Sequence, residues 1–354
     1  MIINYDKILR FYCILDRSCN MNCIYCIQGQ QDRGKYQCKF TSFPSPQQVA
    51  SYYPANNREY EVIFYGGEAF LYFDYMIEIA REIRHRNPNA KFAVTTNGTL
   101  LTLERAKILN ELGFRVNISH DGYAYEFTRR RKDFLKENPD PVLALDNFVF
   151  ISTISRLNWD YYYIWEYFEN FFIKHGVKRR KVNMMFLKDS GGFTPAELFI
   201  YKDKKFENML DRVFGNLKTQ LLTRQYDTYE FMCYENMYGR ILKDMVYSKN
   251  ISLCMFFDVA MAIDVFGNIY DCHNAINPYG NIRDKVLKDF TNPYLLKEPC
   301  KSCQINNICS GGCIKASADK RKYICYYMRN EIGRLVHTLN ECVLEKRRCL
   351  HDKM

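Results

Sequence analysis

Fifteen cysteines constrain this chain of 354 residues more than any other feature, because most of them fall into two groups with short, regular spacings. The first group has the spacing C-x3-C-x2-C near residue 20, and the second lies beyond residue 250. An odd number of cysteines cannot all pair as disulfides within one chain, and the opening residues show no secretory signal pattern. We therefore expect a cytoplasmic protein whose thiolates hold metal or do chemistry.

The overall composition excludes two further classes of protein. Hydrophobic residues make up 47% of the chain and charged residues 25%, which are globular values rather than those of a disordered chain. No stretch approaches the roughly 18 continuous apolar residues of a membrane span, so we expect no membrane partner. The net charge of +10 fits either a solvated basic surface or an acidic partner. Without a recognition-helix, zinc-finger or RNA-binding signature, we expect no nucleic-acid partner.

The first 190 residues alternate short apolar runs with amphipathic runs. Strands are predicted at 8–15, 61–65, 91–96, 114–119 and 181–187, and helices at 71–87, 101–113 and 158–176. This alternation predicts an α/β fold of βα units around a parallel sheet. In such folds ligands bind where the strands end, and glycine-containing turns follow three of these strands. Further along, residues 194–222 predict one long helix, and the pattern changes near residues 235–250.

The first cysteine group consists of Cys19, Cys23 and Cys26. Three thiolates at this spacing can reach one compact centre, and three ligands leave one iron of a 4Fe–4S cube open to a substrate or cofactor. A zinc site completed by a distant residue is the alternative.

These cysteines, with Tyr25 immediately before the last one, resemble the signature of the radical S-adenosylmethionine (SAM) superfamily. That resemblance implies a partial (β/α)6 TIM-like barrel and a SAM-binding 4Fe–4S cluster. It also implies reductive cleavage of SAM to a 5′-deoxyadenosyl radical that removes a hydrogen atom from the substrate. An external one-electron donor such as flavodoxin or ferredoxin is then required.

Motifs after the following strands extend the resemblance. Gly66-Gly67-Glu68 resembles the family's GGE motif, and Asn97 lies in a TNG turn. A longer S-x-D-G-x8-R element is represented by Ser119, Asp121 and Arg131. The resemblance implies that Glu68 meets the SAM ammonium group, while the serine, aspartate and arginine lie around its ribose and carboxylate.

The second cysteine group resembles the SPASM extension, which carries two auxiliary iron–sulfur clusters. When the family's ligand pattern is carried over by position, the resemblance implies that Cys300, Cys303, Cys309 and Cys325 hold the distal cluster. Cys254, Cys272 and Cys313 would hold the proximal cluster. The chain departs from fully ligated members, because Ala260 stands where some have a further cysteine. An open iron, Asp258, another side chain or a distant cysteine are the possible completions. A double zinc site is the alternative reading of the whole group.

The cofactors expected are therefore SAM and three 4Fe–4S clusters. The predicted domains are a radical SAM core at residues 1–235 and a SPASM domain with a C-terminal helix at 236–354. Five cysteines have no assigned role and are expected to be buried or idle thiols: Cys13, Cys38, Cys233, Cys342 and Cys349. Among these, Cys233 is the first to test as a missing ligand, because it lies nearest to Cys254 in sequence.

The resemblance implies a peptide or protein substrate and leaves the reaction open. One hypothesis is a maturase of a ribosomally made peptide, forming a thioether, a carbon–carbon crosslink or another side-chain modification. The second is an anaerobic sulfatase-maturating enzyme, which forms formylglycine. Those enzymes use Asp as the base where this chain has His273, which can also act as a base. The third is a non-catalytic, zinc-binding regulatory protein.

Overall fold

The structure is a computed structural model that describes residues 8–26, 42–188, 195–246, 259–275, 277–284, 298–309, 313 and 318–351. By packing, the chain divides into two compact units, each discontinuous in sequence. The first consists of Met1–His120, Tyr125–Ile151 and Cys254–Thr291. The second consists of Asp121–Ala124, Ser152–Leu253 and Asn292–Met354.

A mostly parallel sheet forms the centre of the first unit. The strands of the chain are β1 (Arg10–Ile14), β2 (Tyr60–Tyr65), β3 (Ala90–Thr96), β4 (Phe114–Ser119), β5 (Phe148–Ile154), β6 (Val182–Phe186), β7 (Ala260–Asp264), β8 (Asn268–Tyr270) and β9 (Gly280–Asn281). In the first unit the order is β5-β4-β3-β2-β1-β7-β8-β9, and the last three residues of β5 fall in the second unit. From β5 to β7 all pairings are parallel, so the carboxyl ends of these strands share one edge.

The core strands are apolar on both faces, as parallel strands covered on both sides must be. In β2 and β4 the side chains of Phe64 and Phe114 are buried, with ring centroids 5.8 Å apart. Phe92 of β3 stacks on Phe114 at 5.3 Å. These aromatic contacts tie three neighbouring strands together below the edge at which they end.

Helices lie between and after the strands. They are α1 (Pro46–Ala50), α2 (Phe73–Arg86), α3 (Leu103–Glu111), α4 (Tyr125–Arg129), α5 (Phe134–Glu137) and α6 (Asp140–Leu143) in the first unit, and α7 (Tyr161–Lys174), α8 (Pro195–Leu198), α9 (Lys204–Thr223), α10 (Tyr229–Val246), α11 (Asn306–Cys309) and α12 (Ala318–His351) in the second. Helix α2 buries Met76, Ile79, Ala80 and Ile83, which recur at helical spacing. Among the described residues, no helix has the length and apolar character to span a membrane.

In the second unit α12 packs against α9 and is also bonded to Tyr161 of α7. The hydroxyl of Tyr161 lies 2.7 Å from the hydroxyl of Tyr327 and donates to Glu331 at 3.1 Å. Arg334 of α12 forms an ion pair with Asp211 of α9 at 2.7 Å. The C-terminal helix is therefore held by its own unit along much of its length.

Two sequence expectations about the elements were incomplete. The single helix predicted at 194–222 was wrong, because the chain breaks between α8 and α9. Lys202 has a positive φ of 48°, and the side chain of Asp203 caps α9 by accepting the N–H groups of Lys205 and Phe206. Strand β5 was not predicted at all.

The domain boundary expected between residues 235 and 236 stays a prediction about function. By packing, residues 254–291 join the first unit.

The end of β2 packs directly on the backbone that leads out of β1. The N–H of Gly67 donates to the carbonyl of Asp16 at 2.9 Å, and the N–H of Glu68 donates to the carbonyl of Ser18 at 2.8 Å. A Cβ added to Gly66 would overlap the carbonyl oxygen of Asp16, and one added to Gly67 would overlap that of Ser18. Only glycine permits so close an approach of two backbones.

We expect Gly67→Ala to destabilise the protein, because neither backbone can move away without losing these bonds. Overpacking of this kind costs about 1–3 kcal/mol, and a chain of this size loses about 2–4 °C of melting temperature for each kcal/mol. The matched control is Gly215→Ala in α9, where an added Cβ meets nothing within 4 Å. Thermal denaturation of both variants checks this. Equal melting temperatures would contradict the close packing described here.

Candidate functional site

The three cysteines of the first group lie on the loop that follows β1, at the carboxyl edge of the sheet. Cys19 is exposed, and Cys23 and Cys26 are half-buried. The side chain of Asp16 organises the start of this loop by accepting bonds from the Ser18 N–H at 3.1 Å and the Tyr72 hydroxyl at 2.7 Å. The loop therefore begins from a fixed position.

The thiols of this loop share one electrostatic neighbourhood. Desolvation by the surrounding protein raises the pKa of Cys19 to about 12, and the nearby negative charges of Glu68, Cys23 and Cys26 contribute to the rise. Ionising several neighbouring thiols is unfavourable without a cation, because the like charges repel each other. Bound iron reverses this, since a metal cation favours the thiolate form. The donor set therefore fits an iron–sulfur cluster.

Glu68 joins the ends of two strands. Its side chain is 2% exposed and accepts three hydrogen bonds, from the Phe70 N–H at 3.0 Å, the Thr96 hydroxyl at 2.6 Å and the Asn97 N–H at 2.7 Å. Burial raises the pKa of Glu68, and the three hydrogen bonds oppose that rise. Two of the bonds fall on Oε1 and one on Oε2, so Oε2 keeps a lone pair that an ammonium group can use.

Asn97 links the TNG turn to the cysteine loop. Its amide nitrogen donates to the side chain of Asn20 at 2.8 Å and lies 3.9 Å from the sulfur of Cys19. Its amide oxygen accepts the N–H and the hydroxyl of Thr99, at 3.0 and 2.6 Å. The turn predicted from sequence is thus placed beside the first cysteine.

Helix α4 approaches the same loop from the other side. The N–H of Ile24 donates to the carbonyl of Thr128 at 2.9 Å. Arg129, only 6% exposed, places a guanidinium nitrogen 4.0 Å from the sulfur of Cys23, and its guanidinium lies 5.8 Å from the ring centroid of Tyr25. Arg131 is exposed and donates to the carbonyl of Asn20 at 3.2 Å.

Arg129 is a residue that the sequence argument missed. The spacing of the S-x-D-G-x8-R element points to Arg131, which donates to the carbonyl of Asn20 on the cysteine loop. The arginine that is buried beside a cysteine, however, is Arg129. Helix α4 ends there, and Arg130 has a positive φ of 54° that separates the directions of its two neighbours. Three consecutive arginines give no sequence signal for which one is buried.

The remaining residues of the longer element divide between the units. Ser119 ends β4 in the first unit and is half-buried. Asp121 belongs to the second unit, is fully buried, and accepts the N–H of Thr153 at 2.9 Å. His120 between them is also fully buried and lies 2.9 Å from the carboxylate of Asp133, which caps α5. Asp121 is therefore bonded to Thr153 within the second unit.

His273 lies in an aromatic cluster of the first unit. Its ring stacks on Tyr12 with centroids 4.6 Å apart and meets the edge of Tyr65 at 4.5 Å. Asn274 contacts both neighbours, through its amide nitrogen to the imidazole at 3.1 Å and its amide oxygen from the Tyr65 hydroxyl at 3.1 Å. Burial raises the pKa of Tyr65, and nearby Cys272 and Cys26 add to the rise. The cluster therefore lies close to cysteines of both predicted groups.

Five cysteines of the second group line one cavity in the second unit. The cavity is lined by Cys300, Cys303, Cys309, Cys313 and Cys325, together with apolar side chains and two arginines. A buried amide oxygen of Asn306 at this cavity accepts no hydrogen bond within the described part of the chain. A thiol-lined cavity with an orphaned polar atom fits an iron–sulfur cluster. The four cysteines expected at the distal cluster all lie here.

The proximal ligand set is only partly described. Cys272 is buried in the first unit, whereas Cys313 belongs to the second, and Cys254 and Asp258 lie outside the described residues. Ala260 begins β7 and is buried against β1. The proposed ligands of this cluster therefore stay a prediction.

The unassigned cysteines that are described are buried. Cys13 is enclosed in β1, and Cys342 places its sulfur 4.0 Å from the carbonyl of Lys218. Burial raises the pKa of Cys13 and of Cys233 to about 12, with a hydrogen bond from Tyr229 opposing the rise at Cys233. Cys38 lies outside the described residues, as does the side chain of Cys349.

Among the described residues, no group of three or more His, Cys, Asp or Glu side chains converges on a point that could hold a single metal ion. A 4Fe–4S cube does not require such convergence, because each thiolate binds a different iron.

Comparison with known proteins finds a family match within the first 145 residues. Residues 14–145 match the Radical SAM superfamily, so the chain carries a radical SAM domain. Such a domain implies SAM and a 4Fe–4S cluster as cofactors. The match spans the cysteine loop and the strand-end motifs from Gly66 to Arg131, and it confirms the predicted resemblance.

Two characterised relatives are similar over most of the chain. The radical SAM cyclopropyl synthase TigE of Paramaledivibacter caminithermalis is 21% identical over 350 residues, covering 91% of this chain and 71% of that protein. A cysteine-type anaerobic sulfatase-maturating enzyme of Clostridium perfringens is 23% identical over 303 residues, covering 73% of this chain and 74% of that enzyme.

Among solved structures, native anSMEcpe with bound AdoMet matches with a TM-score of 0.60 and 16% sequence identity, covering 94% of this chain and 99% of that chain. This likeness concerns the fold and confirms the predicted α/β class with a partial radical SAM barrel.

We expect Arg129→Met to weaken the cluster site more than Arg130→Met, because only Arg129 is buried beside Cys23 and Tyr25. A cation–π contact contributes about 0.5–2 kcal/mol, and a Met side chain replaces the guanidinium without its charge. Iron content after anaerobic reconstitution and the rate of 5′-deoxyadenosine formation measure the effect. Equal iron content and equal rates in the two variants would show that Arg129 does not support the cysteine loop.

Proposed function

We propose that this protein is a radical SAM enzyme that modifies a peptide in a reducing cytoplasm, as a maturase of a ribosomally made peptide. The observation that carries the proposal is the meeting of three strand-end motifs at one cysteine loop. Gly67 and Glu68 bond to the backbone before Cys19, Asn97 lies beside its sulfur, and Arg131 donates to the loop backbone. When bound, the cluster supplies one electron that cleaves SAM to methionine and a 5′-deoxyadenosyl radical, which abstracts hydrogen from the peptide.

The residues around the loop supply the groups that SAM requires. Cys19, Cys23 and Cys26 would hold three irons and leave the fourth open. Glu68 offers the remaining lone pair of Oε2 to the methionine ammonium group. Arg131 is an exposed guanidinium within reach of the loop, suited to a carboxylate. Ser119 and Asp121 stay the proposed partners of the ribose.

A redox role is proposed for the second cysteine group. The cavity of the second unit would hold one auxiliary 4Fe–4S cluster, and Cys254, Cys272 and Cys313 would hold another, giving three clusters in all. An auxiliary cluster suits a reaction in which the substrate radical loses a further electron. An external one-electron donor of the flavodoxin or ferredoxin type would reduce the first cluster.

The nature of residue 273 favours peptide maturation over formylglycine formation. The imidazole of His273 is held between Tyr12 and Tyr65, close to Cys26 and Cys272. A carboxylate at this place would lose the stacking contact with Tyr12. The relatives include both a cyclopropyl synthase and a sulfatase-maturating enzyme, so the latter is kept as the second candidate function.

Replacing Cys19, Cys23 or Cys26 by Ala should abolish dithionite-dependent formation of 5′-deoxyadenosine, because each cysteine would hold one iron. Cys303→Ala should instead block peptide turnover while some uncoupled SAM cleavage remains. Chromatography of anaerobic reactions measures both products. Retained 5′-deoxyadenosine formation in Cys23→Ala would refute the assignment of the loop. Zinc in place of iron in the anaerobically purified protein would favour the regulatory protein instead.

His273→Gln should uncouple the reaction, because the amide keeps polarity but neither stacks as an imidazole nor accepts a proton near neutral pH. We expect 5′-deoxyadenosine formation to continue while the amount of modified peptide per 5′-deoxyadenosine falls at least about tenfold, in the range of general-base effects. The matched control is His85→Gln at the exposed end of α2. An unchanged ratio would remove His273 from the reaction. Mass spectrometry separates a crosslinked peptide from one that carries formylglycine.

A further inference from the structure

One face of α12 carries an arginine one turn before and one turn after a predicted cluster ligand. Arg321, Cys325 and Arg329 are spaced four residues apart, so their side chains follow each other along the helix. All three line the cysteine cavity of the second unit. The residues proposed to contact SAM all belong to other elements, so the proposed function gives these two arginines no role.

Arg321 also contacts a second predicted ligand. Its guanidinium donates to the sulfur of Cys300 at 3.6 Å, and the arginine is half-buried. Arg329 lines the same cavity four residues beyond Cys325, so a second guanidinium charge lies at the cavity wall. Both arginines therefore act on the charge of the cavity, and Arg321 acts at shorter range.

The apolar lining of the cavity strengthens the electrostatic influence of the two arginines. Ile305, Ile324 and Met328 line the same cavity, and an apolar lining lowers the local dielectric constant, which increases electrostatic interactions. A cluster held by four thiolates is already negative, and reduction adds one more negative charge. Nearby cations and hydrogen bonds to the ligand sulfurs stabilise the reduced form and raise the reduction potential.

We propose that Arg321, assisted by Arg329, is a positioning residue that raises the reduction potential of the auxiliary cluster of the second unit, so that this cluster serves as an electron acceptor. The inference rests on the proposed function. The electron accepted is the one that a substrate radical loses, together with a proton released to a base, when its new bond closes. With the hydrogen atom removed earlier, the peptide loses two hydrogens in total. The electron then leaves to the external one-electron carrier.

The test uses the full-length chain carrying Cys19→Ala, Cys23→Ala, Cys26→Ala and Cys272→Ala, so that the remaining iron belongs to the cavity of the second unit. After anaerobic reconstitution, iron content is measured, and the midpoint potential is determined by a redox titration followed by electron paramagnetic resonance. Arg321→Gln is compared with Arg334→Gln, which removes the same charge from the same helix at its ion pair with Asp211.

We expect Arg321→Gln to retain iron and to shift the ratio of oxidised to reduced cluster about tenfold towards the oxidised form at a fixed ambient potential. For a one-electron couple this corresponds to a midpoint lower by about 59 mV. Arg321→Lys should show a smaller shift because it keeps the charge, and Arg334→Gln should show none.

Three outcomes would overturn the inference. Retained iron with the same midpoint in Arg321→Gln and Arg334→Gln would remove the tuning role alone and leave the proposed function intact. Loss of iron in both Arg321→Gln and Arg321→Lys would assign the arginine to holding the cluster rather than tuning it. Absence of iron from the background protein itself would contradict the proposed auxiliary cluster, and with it the inference.

Discussion

The contact between two stretches of backbone, the end of β2 and the segment before Cys19, determines the geometry of everything around the cysteine loop. Gly66 and Gly67 allow these stretches to approach until carbonyl oxygens occupy the space of a missing Cβ. From there Glu68 extends the connection to the Thr96-Asn97 turn, and Asn97 returns it to Asn20 on the loop. The ends of β2 and β3 and the loop after β1 thus form a closed set of hydrogen bonds.

The proposed cluster site would bring together thiolates that repel each other when ionised. The protein fixes the loop through backbone atoms, the amides of Asn20 and Asn97, and the carboxylates of Asp16 and Glu68. The thiols themselves are left exposed or half-buried. Arg129 contributes the positive charge that lies permanently beside Cys23.

Much of the site follows from the sequence because its chemistry depends on local spacing. The three cysteines, the Gly66-Gly67 approach and the Asn97 turn each lie within a few residues of a strand end, and β4 begins and ends where the pattern of apolar residues predicts. The parts that were missed depend on long-range packing or on single backbone angles. Arg129 is buried at the end of α4, where Arg130 has a positive φ, and the positive φ of Lys202, with the Asp203 cap, divides a helix that reads as continuous. The attachment of β7 beside β1 joins residues about 250 apart, which no local pattern specifies.

The central claim is that the loop of Cys19, Cys23 and Cys26 holds a cluster to which SAM binds directly. The most direct measurement is low-temperature electron paramagnetic resonance of the dithionite-reduced protein, anaerobically reconstituted, with Cys272→Ala and Cys303→Ala introduced to suppress the auxiliary signals. The account predicts an iron–sulfur signal whose shape changes when SAM is added, because SAM would occupy the open iron. A signal that SAM leaves unchanged, or a protein that contains zinc and no iron–sulfur signal, would contradict it.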